Sequence, residues 1–207
     1  SNLISSVITF LILIPSIQSF SFDLSLSKKM IKYSFPLIIA GMAYAVNETV
    51  DKILIKYLSS NNPLEQLGIY SACYKLSIFM ILFIQAFRMA AEPLFFNYQK
   101  KTNSKEIYAQ LMRLYFFISM LLFLFISLNI DYLKLLITNN SYHSGLHIVP
   151  IILLAHISLG AYYNLSLWYK ITSQTKYGAY ISLIGCAITL SINIIFLPTY
   201  GYISAAW

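Results

Sequence analysis

Residues 107–130 read IYAQLMRLYFFISMLLFLFISLNI, a run of 24 residues in which Arg113 is the sole charged side chain. A helix needs about 20 predominantly apolar residues to cross the hydrocarbon core of a bilayer. The run exceeds that length and contains no proline that would interrupt a helix. It therefore predicts a membrane-spanning helix.

Five further apolar segments occupy most of the remaining chain. They are residues 3–20, 33–58, 67–98, 146–168 and 177–197, and a seventh segment begins at Gly201. Pro15 and the flanking serines shorten the apolar run of the first segment. The predicted fold class is all-α, a polytopic transmembrane helix bundle with about six full spans and the start of a seventh. The lack of an initial Met and the apolar residues at both termini indicate a fragment of a longer protein.

The overall composition agrees with a membrane protein. Of the 207 residues, 58% are hydrophobic and 10% are charged, and the mean hydropathy is +0.70. A soluble domain carries roughly a quarter charged residues. The composition therefore excludes an ordinary soluble domain.

The net charge of +7 is distributed unevenly among the connections between segments. Every second connection is rich in basic residues: Lys28, Lys29, Lys32, Lys100, Lys101, Lys105, Lys170 and Lys176. The intervening connections hold only Lys56 and Lys134, with Glu65 and Asp131 beside them. Cytoplasmic loops of membrane proteins carry an excess of Lys and Arg, so the basic connections are predicted to be cytoplasmic. This distribution explains the positive charge without a nucleic-acid partner.

Two acidic residues lie within the second predicted span. Glu48 and Asp51 are three positions apart, on the same helical face as Tyr44. An ionised group near the bilayer centre costs about 2.5–3.5 kcal/mol on insertion scales, so it is expected to face a cavity or a partner. We predict a charge cluster in which Lys75 of the third span pairs with these carboxylates. The cluster is either a coupling or substrate-contacting site or a salt-bridged pair that fixes the packing of the two helices.

Three more ionisable residues lie within spans. Gln85, Arg88 and Glu92 share one face of the third span, near its cytoplasmic end, and Arg113 lies early in the fourth. Each arginine either reaches the inner lipid headgroups with its long side chain or lines a cationic surface that attracts phosphate. Both interpretations stay open.

No pattern of catalytic or metal-binding residues is present in the sequence. There is no nucleophile–base constellation, no phosphate-binding glycine loop and no metal-ligand spacing, so an enzyme is not predicted. Cys73 and Cys186 lie in apolar segments and are predicted to pack there. His156 is predicted to be a hydrogen-bonded packing residue. Tyrosines near span ends, including Tyr70, are typical of the aromatic belt of a bilayer protein.

Glycine and proline residues predict local features of the helices. Gly41, Gly160 and Gly185 fall in mid-span, where a missing side chain permits close helix contact. Pro36 and Pro150 are predicted in the first turn of a helix, where proline costs little because its missing N–H would be unpaired there.

Three stretches resemble the polysaccharide-export flippases of the MOP (multidrug/oligosaccharidyl-lipid/polysaccharide) superfamily. They are KYSFPLIIAGMAYAVNETVDKILIKYL at 32–58, LGIYSACYKLSIFMILFIQAFRMAAEPLFF at 67–96 and NIIFLPTYGYISAAW at 193–207. The resemblance implies a transporter of 12 to 14 helices in two lobes, in the bacterial inner membrane. Residues 1–27 are then the last helix of the amino-terminal lobe with the inter-lobe linker, and residues 28–207 are most of the carboxy-terminal lobe.

The same resemblance implies a substrate and a mechanism. The substrate is an undecaprenyl-diphosphate-linked oligosaccharide for O-antigen or other surface polysaccharide, translocated by alternating access, with association with the polysaccharide assembly machinery. Lys75, Arg88 and Arg113 are the candidate contacts to the diphosphate or to acidic sugars. Glu48, Asp51 and Glu92 are candidates for coupling to H⁺ or Na⁺ or for a structural charge cluster, and no other cofactor is implied. The alternatives are a cation-coupled multidrug exporter of the same superfamily and a membrane-embedded polysaccharide polymerase or ligase.

Overall fold

The computed structural model describes residues 2–13, 23–59, 62–99, 103–137 and 139–207. Its α-helices are α1 (Asn2–Leu13), α2 (Leu24–Leu58), α3 (Pro63–Leu76), α4 (Ile78–Tyr98), α5 (Ser104–Leu128), α6 (Ile130–Leu133), α7 (Val149–Ile171), α8 (Lys176–Tyr200) and α9 (Tyr202–Ala206). Two 3₁₀ segments, Lys134–Leu136 and Asn140–Ile148, connect α6 to α7. Within these ranges there is no strand, and the predicted all-α class is confirmed.

Four of the described helical segments are long and apolar enough to cross a membrane. They are Ile78–Tyr98, Ser104–Leu128, Asn140–Ile171 and Lys176–Tyr200. The 35-residue α2 is longer still, but the polar residues along it lower its hydropathy. The protein is therefore a multi-pass membrane protein. Of the first predicted span, α1 covers residues 2–13; Pro15 and the rest of that span lie outside the described residues, as do Lys100 and Lys101.

The predicted single span at residues 67–98 is two helices, α3 and α4, which meet at Ser77. The Ser77 hydroxyl donates to the carbonyl oxygen of Tyr74 at 2.7 Å, and the Ser77 amide bonds to the same carbonyl. A serine that bonds back to the preceding turn competes with the regular helical hydrogen bonds. The expectation of an unbroken helix is therefore wrong at this point.

The proline predictions have different outcomes. Pro150 lies in the first turn of α7, as predicted. Pro36 lies inside α2, which begins at Leu24, so the prediction of a helix start at Pro36 is wrong. The Asp23 side chain accepts hydrogen bonds from the amides of Ser25 and Leu26 and caps α2 there, ahead of the proline.

The basic connections lie together at one end of the bundle. The Tyr33 hydroxyl of α2 donates to the Lys170 carbonyl at the end of α7, and the Thr175 hydroxyl before α8 donates to the Tyr33 carbonyl. The Tyr108 hydroxyl of α5 donates to the Phe95 carbonyl near the end of α4. We call this end, defined by Tyr33, Lys170, Thr175, Phe95 and Tyr108, the basic end.

The core lies between α3, α4, α5 and α7, around the fully buried Tyr115. The Tyr115 hydroxyl donates to the Ile157 carbonyl at 2.7 Å. Cys73 and Cys186 are buried and carry free thiols, which agrees with their predicted packing role. Of the mid-span glycines, Gly160 makes a close contact with Tyr115, whereas no other described segment lies within 4 Å of a side chain added at Gly41 or Gly185.

Candidate functional site

Glu48 and Asp51 face a cavity of about 310 Å³ enclosed by α2, α3, α7, α8 and α9. We call it the acidic cavity. Its polar lining consists of Tyr44, Asn47, Glu48, Asp51, Tyr70, Tyr74, His156, Thr189, Asn193 and Ser204. The spacing of residues 44, 48 and 51 along α2 places all three side chains on the same helix face, as the sequence predicts.

Neutral donors hold the two carboxylates. The Tyr70 hydroxyl donates to Asp51 Oδ2 at 3.3 Å, and Asn193 Nδ2 donates to Asp51 Oδ1 at 2.9 Å. The Tyr74 hydroxyl donates to Glu48 Oε1. These bonds connect α2 to α3, the next helix in sequence, and to α8, which is far away in sequence.

The predicted pairing of Lys75 with these carboxylates is wrong. Tyr70 and Tyr74 are four positions apart on α3 and both face the acidic cavity, whereas Lys75 is exposed and lines a separate cavity beside Tyr142. Consecutive side chains of a helix are rotated by about 100° around its axis, so the Lys75 side chain points away from the face that carries Tyr74. The cation beside the site is Lys52, whose amine lies 4.5 Å from the centre of the Tyr74 ring.

Two amide oxygens of the acidic cavity lack a donor. Asn47 Oδ1 and Asn193 Oδ1 are buried and accept no hydrogen bond from the described residues. Leaving a buried acceptor unsatisfied costs about 1–3 kcal/mol. Carboxylate and amide oxygens are the ligands that hard cations prefer. The lining therefore has the donor chemistry for a bound cation, or for a proton on either carboxyl group.

His156 lies beside the acidic cavity and contacts α3. Its Nε2 is 3.1 Å from Ser77 Oγ, and its ring packs edge-on against Tyr74. Because the Ser77 hydroxyl proton already goes to the Tyr74 carbonyl, Nε2 is the donor in this bond. His156 is 6% exposed and acts as a hydrogen-bonded packing residue, as predicted.

Arg88, Glu92, Tyr163 and Lys170 form a second group, which we call the Arg88 cluster. Arg88 Nε is 3.8 Å from Glu92 Oε2, and Lys170 Nζ is 3.7 Å from Glu92 Oε1. The Arg88 guanidinium lies over the Tyr163 ring, 4.8 Å from its centre. Glu92 therefore receives two cations, from α4 and α7, near the basic end.

The predicted site residues do not form one site. Glu48 and Asp51 lie in the acidic cavity, while Arg88 and Glu92 lie in the Arg88 cluster. Arg113 is exposed on α5 and belongs to neither group as defined by the described contacts.

Several residues at these sites are not identified by the sequence. Tyr70 fits the pattern of the aromatic belt, but it is 3% exposed and contacts Asp51. The i,i+4 spacing of Tyr70 and Tyr74 opposite the acidic pair indicates a shared face and could have identified both. Asn193 and Lys170 contact residues that are far away in sequence, and no local pattern marks them.

Comparison with known proteins identifies a family for the first part of the chain. Residues 1–99, which extend from before α1 to the end of α4, match the family described as "Polysaccharide biosynthesis protein". The match confirms the resemblance to polysaccharide flippases of the MOP superfamily over this part of the chain. No curated protein and no solved structure matches the chain significantly.

Proposed function

We propose that this chain is part of a flippase that translocates an undecaprenyl-diphosphate-linked oligosaccharide for O-antigen or other surface polysaccharide. The family match over residues 1–99 is the observation that carries the proposal. The fold supports it, because ionisable residues of the helices face internal cavities and form specific contacts. Intramembrane ionisable residues arranged in this way typically mark substrate or ion pathways.

The architecture follows from the same proposal. Residues 1–27 are the last helix of the amino-terminal lobe and the linker, and residues 28–207 are most of the carboxy-terminal lobe. The protein resides in the bacterial inner membrane with the basic end in the cytoplasm, in accordance with the positive-inside rule. The two lobes rock to expose the substrate alternately, and the transporter associates with the polysaccharide assembly machinery.

The acidic cavity is the proposed site for the coupling cation, H⁺ or Na⁺. Asp51 and Glu48 supply carboxylate oxygens, and the amide oxygens of Asn47 and Asn193 are free to join them. Helix α2 carries the two carboxylates and Asn47, and α8 carries Asn193, while α3 carries Tyr70 and Tyr74, which donate to the carboxylates. Occupation of the cavity therefore favours the arrangement in which the three helices are close together, which is how a bound ion can bias a conformational equilibrium.

Arg88 is the proposed contact to the diphosphate. Its side chain is 40% exposed, so part of its donor set is available although Glu92 and Tyr163 orient it. Guanidinium groups form bidentate hydrogen bonds with phosphate. Lys75 and Arg113, the other two candidate contacts, lie outside the Arg88 cluster.

We expect Arg88→Ala to lower transport by about tenfold or more, since charge-assisted hydrogen bonds contribute about 1.5–3 kcal/mol. Arg88→Lys keeps the charge and the ring contact but loses the planar fork, so part of the activity should remain. Initial rates with reconstituted protein measure both effects. Arg113→Ala is the matched control, because it removes an exposed arginine that lies outside the Arg88 cluster. Equal rates for Arg88→Ala and the parent would reduce Arg88 to an interfacial anchor.

The translocation assay tests the function itself. The full-length protein is reconstituted in vesicles, and the movement of a fluorescent lipid-diphosphate oligosaccharide is followed against protein-free vesicles. The proposal predicts movement that depends on the protein and on a cation gradient. Drug extrusion without glycan movement would instead support the multidrug exporter. Chain elongation of the glycan would support a polymerase or ligase.

A further inference from the structure

A cavity of about 860 Å³ lies at the basic end, between the first part of α2 and the connection from α7 to α8. Lys29 and Lys32 approach it from α2, and Lys176 from the start of α8. We call it the basic pocket. All three lysines are exposed, so the pocket is accessible from the outside of the bundle.

The lysines of the basic pocket are positioned by their spacing along α2 and by two hydrogen bonds between α2 and the α7–α8 region. Lys29, Lys32 and Pro36 follow i, i+3 and i+7 spacing, which places them on one face of α2. The buried Thr175 donates its hydroxyl proton to the Tyr33 carbonyl at 2.9 Å, and the Tyr33 hydroxyl donates to the Lys170 carbonyl at 3.2 Å. These bonds fix the α7–α8 connection against α2, so the lysines from the two sides are held around one space.

The basic pocket has an excess of positive charge. Among the described residues, its lining includes three lysines and no acidic side chain. Glu92 lies on the neighbouring end of α4, but it already forms ion pairs with Arg88 and Lys170. Like charges around one space repel each other, and an anion between them removes that repulsion. Ser34, Ser173 and Gln174 add neutral hydrogen-bond donors to the same lining.

The remaining lining indicates what kind of anion fits. Met30 and Pro36 are apolar, and lysine stems add further hydrocarbon while their amines reach outward. A phosphate attached to an acyl chain matches both parts, whereas a free phosphate uses only the lysines. We propose that the basic pocket binds the phosphate of an anionic phospholipid in the leaflet at the basic end. The proposal is independent of the transported substrate.

Lipid titration of the full-length protein, followed by native mass spectrometry, tests this site. The probe is phosphatidylglycerol, and phosphatidylcholine is the uncharged reference. Juxtamembrane lysines each contribute several-fold to anionic lipid binding, so Lys32→Gln with Lys176→Gln should raise the phosphatidylglycerol Kd by roughly tenfold. The control, Lys28→Gln with Lys105→Gln, removes two lysines outside the pocket and should change that Kd less than about twofold.

Each outcome decides the proposal. Equal losses in the two double variants would show a diffuse surface-charge effect and overturn it. Inorganic phosphate that competes with phosphatidylglycerol at equal concentration would show a site for the free anion. Displacement by undecaprenyl diphosphate at far lower concentration than phosphatidylglycerol would show that the pocket receives a prenyl diphosphate, and the phospholipid assignment would be wrong. The proposal is supported if the Lys32 and Lys176 double variant loses phosphatidylglycerol binding while the Lys28 and Lys105 control keeps it. In that case neither inorganic phosphate nor undecaprenyl diphosphate should be preferred over phosphatidylglycerol.

Discussion

Asp51→Asn should lower cation-driven transport by at least about tenfold, which corresponds to a loss of about 1.4 kcal/mol. The substitution removes the negative charge that attracts a cation. It keeps one oxygen, which can accept the bond from Asn193 Nδ2, and its new amide group can donate to the Tyr70 hydroxyl oxygen. The measurement compares glycan movement in vesicles with and without an imposed H⁺ or Na⁺ gradient.

The same variant also separates a coupling role from a structural one. An ionised group in the membrane interior costs about 2.5–3.5 kcal/mol, so its neutralisation should not lower the thermal stability in detergent. Glu65→Gln is the control, because it removes one negative charge from the exposed first turn of α3. A lower melting temperature together with unchanged gradient dependence would show that Asp51 only holds the helices together.

Segment length and hydropathy were sufficient to predict the helices because lipid imposes a strong constraint on both. Unpaired backbone groups are too costly in hydrocarbon, so a long apolar run is helical whatever its neighbours are. The break at Ser77 was not predictable in this way. It depends on the Ser77 hydroxyl, which donates to the Tyr74 carbonyl and accepts a hydrogen bond from His156 of α7. A contact between such distant segments does not change the local hydropathy.

Helix periodicity predicted one face of the acidic cavity but not its partners. The spacing of Tyr44, Glu48 and Asp51 was enough to place them together. The choice of Lys75 as their partner relied on opposite charge and similar depth. In the structure Tyr70 and Asn193 stabilise Asp51 instead, because a half-buried carboxylate needs hydrogen-bond donors and neutral side chains can supply them.

Gly160→Ala should destabilise the bundle core. A Cβ atom at this position would clash with the Tyr115 hydroxyl oxygen and lie 3.1 Å from Ile84 Cγ1. Tyr115 is fully buried, so its ring cannot move aside without displacing its neighbours. We expect a loss of about 1–3 kcal/mol from overpacking. A further loss of about 0.5–1.5 kcal/mol follows if the hydrogen bond to the Ile157 carbonyl breaks.

Thermal unfolding in detergent measures this effect, and the other mid-span glycines supply the control. Gly41→Ala and Gly185→Ala add the same methyl group where no atom of another described segment lies within 4 Å. Alanine is the better helix former, so both should leave the melting temperature unchanged or raise it slightly. Tyr115→Phe removes the atom that clashes most and should restore part of the stability of Gly160→Ala. The rescue follows because the two residues are in direct contact, and contacting residues show non-additive energies. Strictly additive losses in the double variant would mean that Gly160 is needed for some reason other than this contact.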